Sequence, residues 1–252
     1  MRQPDHAPER VKPERVKDMP AKQGMKDVAL LFAAAPTYEE YVAAGLVPAR
    51  LLHARMAEIR VPPGDQLFFT TLSEPFYLIA VVAEDSPATV AVLPIIARIA
   101  RLSPYLDLRV LAEDEGIELL SQAADDPELL ADLPDADLPL LVLFDRERQV
   151  VGQWGPQPQA LDPYLDAWLS RHPDLDALAE DDTAAGQAAY AALLDELTQE
   201  MRLWFNSGLN RACVAEIRAM FPSVQDEAGQ DAASNAPGAG DDDDDEDDEA
   251  DN

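Results

Sequence analysis

The sequence carries one cysteine, Cys213, among 252 residues. A dithiol couple, an internal disulfide and a multi-cysteine zinc site each need at least two thiols, so this sequence supports none of them. Cys213 shares a helical stripe with Ile217, Met220 and Phe221, which points to a buried apolar position, with a reactive lone thiol as the alternative. The three histidines, His6, His53 and His172, stand in a charged stretch, on an early helix and after a later one, in no constellation suited to a Ser-His-Asp triad or a metal site. Ser86 is followed by Pro87, a pair that fits a helix start, with Ser86 as N-cap and Pro87 where no amide is needed. Glu84 and Asp85 would flank that helix start, where the dipole favours carboxylates; a general-base role is the sharper alternative. The run 241–248 is acidic throughout but has no glycine turn or spaced terminal glutamate, so it is not an EF-hand. No cofactor and no metal is expected.

Charge narrows the partners. The net charge is −30, and it is unevenly spread: residues 1–26 hold seven Lys/Arg against four Asp/Glu, while residues 225–252 hold thirteen acids and no base. Nucleic acid is excluded as a partner, because neutralising phosphates needs a basic surface. No secretory signal and no membrane-spanning run is present, which gives an expectation of a cytoplasmic protein with no membrane partner. With 47% hydrophobic residues there is material for one well-filled core with extensions.

The elements that must position these residues follow from periodicity. Val28 to Phe32 is a short apolar run. Thr37 to Gly45 reads as a capped helix, Pro48 to Ile59 as a second and Gly64 to Ser73 as a third. Phe76 to Ala83 is continuously apolar and β-prone, the pattern of a central strand covered on both faces. Pro87 to Leu102 is a helix with a kink expected at Pro94. Leu106 to Leu111 is a strand, Glu115 to Leu133 a broken helical segment, Leu140 to Phe144 a strand, Gln149 to Trp154 its hairpin partner, and Gln159 to Ser170 a helix. Tyr190, Leu193, Leu194, Leu197, Met201, Trp204 and Phe205 then form one helical stripe that must dock on something. Asn206-Ser207-Gly208 breaks that helix before a last one over Ala212 to Phe221.

The order β-α-β-α-β-β-α, the proline inside the first helix and Leu138-Pro139 before the third strand resemble thioredoxin, most clearly over Phe76 to Tyr164. Trp154-Gly155-Pro156-Gln157-Pro158 is similar to the Trp-Gly-Pro-Arg-Pro element of a bacterial thioredoxin-family branch with helical additions at both ends, departing only at Gln157. The resemblance implies an α/β fold, a thioredoxin-like three-layer sandwich with helical extensions at both ends. The parts are a disordered charged leader over 1–26, a helical lead-in over 27–75, the thioredoxin-like domain over 76–170, C-terminal helices over 183–221 packed on it, and a disordered acidic tail over 225–252. Laying Pro94 on the family's helix proline puts Asp85 where the family has tryptophan, Ser86 at the attacking cysteine and Thr89 at the resolving one. The motif thus becomes Ser86-Pro87-Ala88-Thr89, and Pro139 falls at the cis-proline facing it. A serine hydroxyl forms no disulfide, so the resemblance implies a redox-inactive binding or adaptor module. Its unknown protein or peptide partner would use the groove between that motif and Leu138-Pro139. The alternative is a single-thiol protein that uses Cys213 or a partner's thiol.

Overall fold

A computed structural model of the chain describes residues 28–222 except 85, 125, 127, 129, 130 and 132, without the side chains of 114 and 134. The leader over 1–26, the tail over 225–252 and Asp85 therefore lie outside the described residues. The chain divides after Phe221 into two compact units, and every helix and strand among the described residues belongs to the first.

The run from Phe76 is a strand because most of its residues are β-branched or aromatic and have somewhere to go on both sides. β1 (Phe76–Val82) sends Leu78, Ala80 and Val82 into one apolar cluster and Ile79 and Val81 into another. It lies inside a four-stranded sheet of order β2-β1-β3-β4. β2 (Leu106–Ala112) runs parallel to it, with Phe76 opposite Leu106 and Val82 opposite Ala112. β3 (Leu140–Phe144) runs antiparallel, with Val81 opposite Leu140, and β4 (Val150–Trp154) completes a hairpin. That hairpin is irregular between Leu143 and Phe144, and its turn places Arg148 at φ 66.

Helices cover both faces. On one side α1 (Val28–Ala34) packs with α6 (Glu113–Ala123), and the early apolar run is thus helical, with Leu31 and Phe32 buried. Gly116 of α6 lies so close to the sheet that a Cβ there would meet Val81 Cγ1 at 2.7 Å. On the other side sits α5 (Pro87–Ala100), which runs on through Pro94 and is buried over almost its whole circumference. Such a helix needs a further layer, and α3 (Ala49–Glu58) and α9 (Ala184–Trp204) supply it. Leu197, Met201 and Phe205 are the buried part of the long apolar stripe.

Smaller elements follow local rules. α2 (Tyr38–Ala44) has a complete capping box between Thr37 and Glu40 and ends on Gly45 in the left-handed region. α4 (Pro63–Thr70) brings Phe68 and Phe69 against Phe221. The segment after β4 starts as a 3-10 turn over Gln159–Leu161 before α7 (Asp162–Leu169), and a short α8 (Leu175–Ala179) precedes α9. The break after α9 is a π-turn over Phe205–Leu209 leading directly into α10 (Asn210–Ala219). Among the described residues no helix is long and apolar enough to cross a membrane.

Candidate functional site

Ser86 stands four residues beyond the end of β1, at the N-cap of α5, with extended backbone. Its hydroxyl oxygen accepts from the amides of Ala88 at 3.2 Å and Thr89 at 3.4 Å. Both are donors that the first helical turn leaves unpaired. Pro87 sits where no amide is needed. Thr89 is fully buried, and its hydroxyl donates to the carbonyl of Ala83 at 2.8 Å. That bond ties the loop after β1 to the first turn of the helix. Each hydroxyl thus meets a backbone group a few residues away, and among the described residues neither is hydrogen-bonded to a carboxylate or an imidazole.

Beside Ser86 and Pro87 lies a cleft of about 540 Å³ lined also by Ala83, Glu84, Ala112, Glu113, Tyr190 and Leu194. β1 and β2 are parallel, so the loops that follow them share one end of the sheet. Ala83 and Glu84 therefore come beside Ala112 and Glu113, and α9 closes the remaining side with Tyr190 and Leu194. The lining is mixed, with the acidic Glu84 and Glu113 set among apolar side chains. Tyr190 and Leu194 are four apart on the stripe that the sequence assigned to docking, yet both remain half-buried, which leaves them available to this cleft. Their spacing was visible in the sequence. Their unburied remainder was not.

Leu138 and Pro139 do not line that cleft. The peptide bond between them is cis, Pro139 is buried and Leu138 half-buried. The Pro139 carbonyl faces Gly155, whose φ is 145 and where a Cβ would lie 2.1 Å from that oxygen, so only glycine fits. Gly155-Pro156 is a second cis bond. The turn carrying it is fixed by Glu216 on α10, which accepts from Trp154 Nε1 at 2.9 Å and from the amide of Gln159 at 3.1 Å. Nothing in the sequence tells what Glu216 touches, because both of its partners are distant in the chain.

Cys213 is wholly buried in the apolar cluster around α5, and burial pushes its thiol well above the ordinary value, with Glu216 adding to the rise and Arg55 opposing it. A thiol so placed is shielded and protonated at neutral pH.

The family comparison agrees with this fold. A family model described as thioredoxin matches residues 36–169, more than half of the chain. A solved structure of a protein of unknown function from Pseudomonas aeruginosa aligns with 78% of this chain and 97% of its own, at 19% identity and a TM-score of 0.47. An HIV epitope-scaffold aligns over 77% of this chain and 96% of its own, at 16% identity and a TM-score of 0.48. No curated protein matches the chain.

Proposed function

The chain belongs to the thioredoxin family, and on that premise we propose that it is a member without dithiol chemistry, a binding or adaptor module that takes a protein or peptide partner beside Ser86-Pro87-Ala88-Thr89. One observation carries this reading: Ser86 and Thr89, which the resemblance places at the family's cysteine positions, are hydroxyls engaged by backbone groups, and a partly apolar cleft opens beside Ser86. Thiol–disulfide exchange requires a thiolate at the helix start, and a serine hydroxyl that caps the helix is too weakly acidic to replace one. The cleft has the features of a peptide site, with half-buried Tyr190 and Leu194 as apolar contacts and Glu84 and Glu113 selecting charge. Leu138 is the more exposed member of the cis-proline pair and borders the same end of the sheet. A single-thiol function for Cys213 finds no supporting observation, since the thiol is enclosed and its pKa raised.

The test has two halves. In an insulin reduction assay coupled to an NADPH-linked reductase, the full chain should show only background; turnover above it would end the redox-inactive reading. In a selection of displayed peptides on the immobilised full chain, enriched peptides should lose at least about tenfold in affinity on Leu194→Glu or Glu113→Lys. Enriched peptides indifferent to both changes would remove the cleft from the proposal. The positional assignment can be checked separately: Ser86→Cys with Thr89→Cys should form an intramolecular disulfide under mild oxidation, as two cysteines one helical turn apart allow.

A further inference from the structure

Guanidinium groups crowd one corner of this acidic molecule. An open cleft lies where the end of α3, the loop into α4, the π-turn and α10 meet, and its lining holds two arginines, Arg60 and Arg211, against one carboxylate, Glu58, while Arg55 and Arg202 line a small cavity between α3, α5 and α9. With 49 Asp and Glu in the chain and only 19 Lys and Arg, a local excess of cations is not what composition alone would place there.

The one carboxylate is already committed. Arg202 Nε donates to Glu58 Oε1 at 2.9 Å and Oε2 at 3.0 Å, its Nη2 makes a further contact, and Asn206 Nδ2 donates to Oε2 at 2.9 Å. Together they hold the Glu58 carboxyl down at about 2. Arg55 therefore shares this carboxylate with Arg202, and only at the limit of ion-pair distance. It is 2% exposed, its nearest carboxylate oxygen is 4.0 Å away on Glu58, and its Nη1 and Nη2 donate only to the amide oxygens of Asn206, at 2.8 Å, and Asn210. Its Nε is buried with no hydrogen-bond partner. A buried guanidinium held by neutral dipoles is costly unless negative charge lies close by.

The amides that hold Arg55 also line the larger cavity, an open cleft of about 880 Å³, together with Ser207, Gly208, Arg60 and Arg211 and with Pro62 and Pro63. Because the Asn210 oxygen is turned to Arg55, its NH2 has only a 3.5 Å contact with Asn206 and keeps a proton to give. Arg60 and Arg211 are exposed and take part in no ion pair among the described residues.

We propose that this cleft binds a small oxyanion, a phosphate or carboxylate group borne by an organic ligand, seated between Arg60 and Arg211 and the Asn210 amide. Arg55 supports the site from behind: it fixes the asparagines so that their donors are presented, and its charge, only partly offset by Glu58, adds to the attraction. The site lies on α3, the π-turn and α10 and shares no lining residue with the cleft beside Ser86, so it stands independently of the proposed partner site.

The experiment titrates the full chain with inorganic phosphate in one arm and malonate in the other, each against sodium chloride at matched ionic strength, following the backbone amide of Gly208 and the side-chain amides of Asn206 and Asn210 by NMR. Saturable shifts in at least one arm are expected, and the arm that saturates at lower concentration names the oxyanion. Arg60→Gln and Arg211→Gln should each weaken binding about tenfold, and the double variant should abolish saturation, with both side chains exposed enough to leave folding intact. Shifts that merely track ionic strength in both arms, or that persist unchanged in the double variant, would overturn the proposal.

Discussion

Two polar regions flank the same apolar core, and they solve the problem of burial in opposite ways. At the start of α5, Ser86 and Thr89 are neutral hydroxyls whose partners lie within six residues. At the junction of α3 with the C-terminal helices, Arg55 is a charge whose partners, Asn206 and Asn210, lie about 150 residues further along the chain. A hydroxyl can be satisfied by the backbone next to it, so the first region is built from local sequence and keeps a cleft open beside it. A guanidinium has five donors in a fixed fork and demands acceptors from several directions, so the second region forms only when the C-terminal extension docks. The difference teaches that the extension is more than a cover for apolar surface: without it, Arg55 would lose both of its asparagine acceptors.

The sharpest way to break that contrast is to remove the guanidinium. Arg55→Ala should cost about 3 kcal/mol in urea denaturation, from the lost side-chain volume, the guanidinium contact over the Phe205 ring and the two abandoned asparagine oxygens. Arg55→Met, which keeps the stem volume and has no charge to satisfy, should cost less than about 1.5 kcal/mol. Equal losses in the two variants would mean that the hydrogen bonds to Asn206 and Asn210, and not the packing, carry the effect.

At the other region the expected losses are smaller. Thr89→Val keeps the shape of the buried side chain but leaves the Ala83 carbonyl with only the long 3.4 Å bond from the Ser86 amide, a loss of about 1 kcal/mol that Thr89→Ser should partly restore. Ser86→Ala removes the cap and should cost about 1 kcal/mol. A thermal or urea melt on each variant decides the order. If Ser86→Ala proved more damaging than Thr89→Val, the loop after β1 would be held by the cap and not by the buried threonine.

What the sequence makes legible follows the same division. The two-sided strand from Phe76, the Ser86-Pro87 helix start, the Thr37 cap with Gly45 closing its helix, and the Leu140 hairpin are all readable, because period, cap and turn chemistry act over a few residues. The burial of Cys213 is readable too, from its apolar stripe. Tyr190 and Leu194 belong visibly to a docking stripe, but their place in the cleft beside Ser86 depends on where a helix a hundred residues away comes to rest. Arg55 reads as one member of a helix side, and nothing in its neighbours tells that two asparagines near the π-turn complete its hydrogen bonds. Glu216 can be placed on the last helix, while its grip on Trp154 and Gln159 is a tertiary fact.

The last and smallest effect sharpens the comparison through pH. Glu58 has its folded pKa lowered from 4.5 to about 2, chiefly by the hydrogen bonds from Arg202 and then by Asn206. A carboxyl lowered on folding stabilises the folded state fully above its ordinary value, and that contribution is lost as the pH falls from about 4.5 through about 2. Glu58 is one-quarter exposed and Arg202 nearly half, so solvent screens the pair and the share belonging to it is modest. Stability measured by urea denaturation between pH 6 and pH 3 should therefore decline more steeply in the wild type than in Glu58→Gln, whose side chain can still accept from Arg202 but has no proton to take up. Ser86→Ala should leave the slope unchanged, since no ionisable group takes part in that cap. If the Glu58→Gln slope matched the wild type, the carboxyl would not be coupled to folding, and the charge asymmetry that sets this corner apart from the hydroxyl-built end of α5 would have no thermodynamic expression.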